Sequence, residues 1–164
     1  MSSPKIIEPN CILPRSAWLG VLSDTAMEVF SIMVGVNASI GPGDQARVAP
    51  QVTGMIGIAG AMRANFILEC SSAAAVRLAS QMLGISADDP NSQKAACDAL
   101  GEVCNVVAGY FKAKVGLGDA CKLSVPTIIM GSDYQFHSTQ AFERIELPVL
   151  YEGETMWATL EIAQ

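Results

Sequence analysis

Four side chains in this sequence have types and spacing that suit chemistry on another molecule. Asp98, Glu102, Asn105 and Gly109 stand at i, i+4, i+7 and i+11. On a helix of 3.6 residues per turn these offsets form one narrow stripe. Carboxylates in such a stripe can pair with a cation, and the Asn105 amide can both donate and accept a hydrogen bond. Other chemistries lack their parts. His137 is the only histidine and has no cysteine cluster beside it, so neither a metal site nor a histidine triad is expected. Ser23 and Ser124 lack a Gly-x-Ser-x-Gly elbow, and Gly41-Pro42-Gly43 has neither the lysine nor the length of a phosphate-binding loop.

The element that must carry the stripe is a long helix. Asp89-Pro90 reads as an N-cap followed by proline at the first helical position, and the helix is expected to reach about Val115. Ala96, Leu100, Val103, Val107 and Phe111, with Cys104 beside them, form the opposite, apolar face and should pack on a sheet. The stripe then faces outward. Asp98 and Glu102 repel each other by roughly 0.2–0.5 kcal/mol, so helix stability does not explain them. Gly109 costs about 1 kcal/mol against alanine inside a helix. It and Gly101 read as small residues on an open face that let a second surface come close. A solvated helix face is the plain alternative, and a repeat weighs against it. Asp24, Glu28, Ser31 and Gly35 show the same spacing, 74 positions earlier. Each set precedes a proline, Pro50 or Pro126, and each half holds a hairpin with glycine at its turn, Gly60 or Gly153.

The remaining punctuation predicts the other elements. A first helix is expected from residue 15 until Gly41-Pro42-Gly43, a hairpin over Val52–Glu69, and a helix capped by Ser71-Ser72 and closed at Gly84. Strands follow near Lys122–Met130, Arg144–Leu150 and Met156–Ile162. The class is α+β, a pseudo-twofold repeat of helix plus hairpin with a largely antiparallel sheet. The chain reads as a single domain: an extension over 1–14, a first half over 15–84 and a second over 89–164.

Composition narrows the partners. Ten Lys and Arg against sixteen Asp and Glu give a net charge of -6, with the bases scattered, which argues against nucleic acid. Asp24 and Glu28 interrupt the first long apolar candidate, so no membrane span is expected. Five cysteines without a Cys-x-x-Cys pair suit a reducing cytoplasm.

The string Asp98-Ala-Leu-Gly-Glu102-Val-Cys-Asn105, with Pro126 downstream, resembles the Asp/Ser-x-x-x-Glu-x-x-Asn…Pro signature of the CheC/CheX family of chemotaxis phosphatases. The hairpin from Met55 to Leu68 and the helix ending Gln81-Met-Leu-Gly84 are similar to that family's second segment, so the resemblance runs roughly from Ser16 to Ile162. It implies hydrolysis of the aspartyl phosphate on a CheY-like response regulator. Glu102 would pair with the regulator's active-site lysine, and Asn105 would position the attacking water. Asp98 and Gly109 would help the helix sit against the partner. No cofactor of the chain's own is implied, since Mg²⁺ belongs to the partner receiver domain. Ser31 stands where the first helix would need asparagine, so one working site is expected, as in CheX, together with a homodimer formed through the sheets. The rival reading is a module of the same fold that docks on a receiver or a flagellar-switch partner without catalysis. A structural dimer without a receiver partner is a third.

Overall fold

The structure, a computed structural model, describes residues 12–135 and 139–164; His137, Cys11 and residues 1–11 of the expected extension lie outside them. Among the described residues three α-helices and seven strands follow in the order α1 (Trp18–Val29), β1 (Ser39–Ile40), β2 (Val52–Gly60), β3 (Arg63–Cys70), α2 (Ser72–Leu83), α3 (Pro90–Lys114), β4 (Cys121–Leu123), β5 (Thr127–Met130), β6 (Phe142–Tyr151) and β7 (Glu154–Ala163). All strands join one sheet of order β1-β6-β7-β3-β2-β4, with β5 also on β2. Every pairing is antiparallel, as the α+β reading expects.

The repeat is visible in that order. The two hairpins, β2–β3 and β6–β7, meet where β3 pairs with β7. Each half then lends its short strand to the other half's hairpin. β1 pairs with β6, while β4 and β5 pair with β2. The second hairpin turns through Glu152 and Gly153, both at positive φ (49° and 78°), a twist that suits a tight antiparallel turn. The first turns after Gly60, where a Cβ would lie 2.2 Å from the Ala120 carbonyl oxygen. Only glycine fits so close to backbone.

Alternation on the strands divides inside from outside. Val52, Ile56 and Ile58 of β2, Ala64, Phe66 and Leu68 of β3, and Ala158, Leu160 and Ile162 of β7 join one core. The helices close it with Leu22, Val29, Leu78, Leu100, Val103, Val107 and Phe111. Trp18 meets Phe111 edge to face, centroids 5.4 Å apart, which ties α1 to α3. By length and hydropathy Arg15–Val34 could cross a membrane in spite of Asp24 and Glu28. The core takes Trp18, Leu22, Ala26, Val29 and Phe30 from it, while Leu19 and Ile32 stay exposed.

Local signals end the helices where expected, with one exception. The Ser71 side chain accepts the Ala74 N–H at 3.0 Å, and Gly84 closes α2 in the left-handed conformation (φ 67°). The first helix, expected to run to Gly41, stops at Val34. Past Val29 it loosens into a π-helical turn, Phe30–Val34, and Gly35 ends it at φ 76° with its N–H on the Phe30 carbonyl. Gly35 is therefore a helix cap, and the polar stripe of α1 stops short of it.

Candidate functional site

Asp89 caps α3 by accepting the Asn91 N–H at 2.8 Å, with Pro90 in the first turn. All six residues expected on its apolar face are buried at 5% exposure or less. The helix sits close to the sheet because Gly54 of β2 lies under it. A Cβ at Gly54 would meet the Cys104 Sγ at 2.6 Å and the Leu100 Cγ at 3.4 Å. This fixes the rotation of α3, which leaves Asp98, Glu102 and Asn105 exposed. Among the described residues, no hydrogen bond or ion pair engages any of these three side chains.

The glycines behave differently from the open-face reading. Gly101 is buried, and a Cβ there would stand 3.6 Å from the Pro126 Cβ and 3.7 Å from Ile128 Cδ1. Gly109 is half-buried, with Leu123 Cδ1 at 3.8 Å from a Cβ. The small residues thus admit the molecule's own β4–β5 segment, which runs along α3 from Gly109 back to Cys97. At that end the Cys97 thiol donates to the Met130 thioether at 3.0 Å. The edge of the sheet therefore forms one wall beside the stripe.

The first copy of the pattern is arranged otherwise. Asp24, Glu28 and Ser31 are exposed, but Lys114 at the end of α3 forms an ion pair with Glu28. Ser31 falls within the π-helical turn.

One feature was missed by reading the sequence. On the sheet face away from the helices, Arg47 forms ion pairs with Glu69 and with Glu146 (2.6 Å to the latter), its guanidinium 4.9 Å from the Trp157 ring. Burial works against that cation, yet the two carboxylates outweigh it and raise its pKa. Arg144 and Glu161 pair alongside at 2.7 Å. These groups line a shallow cavity of about 530 Å³ with Ile67, Thr159 and Tyr134. No sequence motif announces it, because Arg47 and its partners are far apart in the chain.

The cysteines offer no nucleophile beneath α3. Burial pushes the Cys70 thiol up to about 12 and raises Cys104 as well, so both remain protonated near neutrality. Among the described residues no group of three His, Cys, Asp or Glu is placed to hold a metal ion.

An antiparallel sheet of two adjacent hairpins that exchange short strands, with long helices packed on it, defines the CheC-like α+β class. The sequence model described as chemotaxis phosphatase CheX matches residues 52–150, and the chain belongs to that family. Solved structures agree on the fold. A CheX–CheY–BeF3–Mg²⁺ complex from Borrelia burgdorferi is similar with a TM-score of 0.75 and 22% identity, over 90% of this chain and 98% of that one. The chemotaxis protein CheX from Desulfovibrio desulfuricans gives 0.74 and 19%, over 88% and 98%. FliY from Thermotoga maritima gives 0.62 and 16%, over 91% of each chain. No curated protein sequence matches the chain.

Proposed function

We propose that this CheX-family protein hydrolyses the aspartyl phosphate of a CheY-like receiver domain, with the chemistry at Glu102 and Asn105. The carrying observation is that these two side chains stand one turn apart on a rigid helix, exposed and without partners among the described residues. Glu102 pairs with the regulator's active-site lysine and sets the register. Asn105 holds a water in line with the phosphorus. The water oxygen bonds to phosphorus, the bond from phosphorus to the aspartyl oxygen breaks, and inorganic phosphate leaves with the regulator's carboxylate restored. An acyl phosphate is already reactive and its Mg²⁺ is held by the regulator, so positioning is the main contribution needed. The amide orients the water and does not deprotonate it. Asp98 supports the docked helix, Gly109 does so only indirectly by seating Leu123 of the wall beside it, and the protein works in the cytoplasm as a homodimer. The Borrelia complex of CheX with CheY supports the choice of partner.

The rival reading is a module of the same fold that docks on a receiver or a flagellar-switch partner without catalysis. Phosphate release from aspartate-phosphorylated receivers separates the two. Acceleration by the unchanged protein that disappears in Asn105→Ala is the expected result. Binding that depends on Glu102 without acceleration would replace it by the docking module.

A further inference from the structure

The wall beside the stripe contains an irregularity just before the signature proline, Pro126. On β2, Ile58 pairs with Leu123 and Met55 with Thr127. Two residues, Ile56 and Gly57, therefore face three, Ser124, Val125 and Pro126. That is a β-bulge with one extra residue, a device that re-aims a side chain at a sheet edge. It is held deliberately. Ser124 exchanges backbone hydrogen bonding with Gly57 through its N–H (2.8 Å to the Gly57 carbonyl), while its Oγ accepts the Gly57 N–H at 2.8 Å. The same hydroxyl donates to the Val125 carbonyl at 3.0 Å, and Pro126 is seated against Gly101 of α3.

Val125 is the residue expelled. It is 83% exposed, the most open of the large apolar side chains among the described residues. Pro126 lies beside Gly101 and Leu123 beside Gly109, so Val125 falls between them along the helix, level with the turn carrying Glu102 and Asn105. A fixed, short apolar side chain at that height loses little conformational entropy when covered.

We infer that Val125 is a docking contact for the receiver domain: an apolar knob on the rim of the α3 stripe that seats the partner beside Asn105. The occupant is the receiver surface next to its phosphorylated aspartate, because whatever Glu102 and Asn105 reach must also cover this rim. The inference rests on the proposed phosphatase reading. Its role is in binding, so it acts on KM and leaves the chemical step to Asn105.

Steady-state phosphate release from phosphorylated receivers, comparing the unchanged protein with Val125→Asp, Val125→Ala and Asn105→Ala, tests it. The expected result is a KM raised about tenfold or more in Val125→Asp and a few-fold in Val125→Ala, with kcat held within about twofold. An unchanged KM in both variants, or a fall in kcat alone, overturns the inference while the activity of the unchanged protein keeps the phosphatase reading. Should the unchanged protein release no phosphate, binding is read with receivers carrying beryllofluoride. Weaker binding by Val125→Asp then upholds the contact although catalysis has failed; equal binding, or none by any form, overturns it.

Discussion

Helices α1 and α3 carry the same spacing of acid, acid, polar residue and glycine, and the fold uses them differently. On α3 the helix stays regular through the whole pattern, and Glu102 and Asn105 are left without partners among the described residues. On α1 the same positions are consumed by structure: Glu28 by Lys114, Ser31 by the π-helical turn, Gly35 by the left-handed cap. A spacing in sequence becomes a surface only if the helix keeps its period and no neighbour takes the charges. The contrast teaches that one spacing can be left open as a stripe on one helix and taken up by structural contacts on the other.

The contrast can be attacked where it is sharpest. Asn105→Ala should lower kcat for phosphate release by about 100-fold or more, the scale of losing a positioned reactant, with little change in thermal stability. Glu102→Ala should raise KM about tenfold and weaken the dependence of binding on salt. Isothermal titration at two ionic strengths reads that directly. Gly54→Ala probes the seat of α3: the added methyl has only 2.6 Å to the Cys104 sulfur, so urea unfolding should show a loss of about 1–3 kcal/mol.

The same seat predicts a pH effect. Burial, with Glu154 nearby, raises the Cys70 thiol from its ordinary 9.0 to about 12. The folded state then holds the proton more tightly than the unfolded chain. Stability from this group is whole below pH 9 and is lost as pH rises toward 12. Urea midpoints at about pH 8 and about pH 10.5 should diverge less in Cys70→Ala than in the unchanged protein. The smallest effect belongs to α1. Lys114→Ala breaks a half-exposed ion pair and should cost no more than about 1 kcal/mol. Adding Ser31→Asn to it in the Asn105→Ala background should restore no phosphate release; recovery would show that α1 had retained a usable site.

Local signals made much of this legible in advance. The Asp89-Pro90 start, the apolar period from Ala96 to Phe111, the Ser71 cap and the glycines at the hairpin turns are decided within a few residues, and they stand where the sequence indicates. What was hidden depends on distant partners. The two-residue β1 exists only because β6 is there to pair with it. Gly101 reads as open space until Pro126 fills it. The Glu28–Lys114 pair joins residues 86 apart, and no helical period anticipates it. The bulge at Val125 is a matter of register between two strands, which neither strand shows by itself.

The exchange of short strands between the halves has a consequence for how the chain is made. On the ribosome the first half cannot finish its own sheet edge. Ser39 has no strand to join until Leu150 has been synthesised, and β2 keeps an open flank until Cys121–Met130 follow. Contacts this remote in sequence slow the search for the native state and leave apolar strands unpaired meanwhile. Nascent α1, β2 and β3 should therefore lean on chaperones until the last hairpin emerges, and a chain cut between α2 and α3 should give two insoluble pieces.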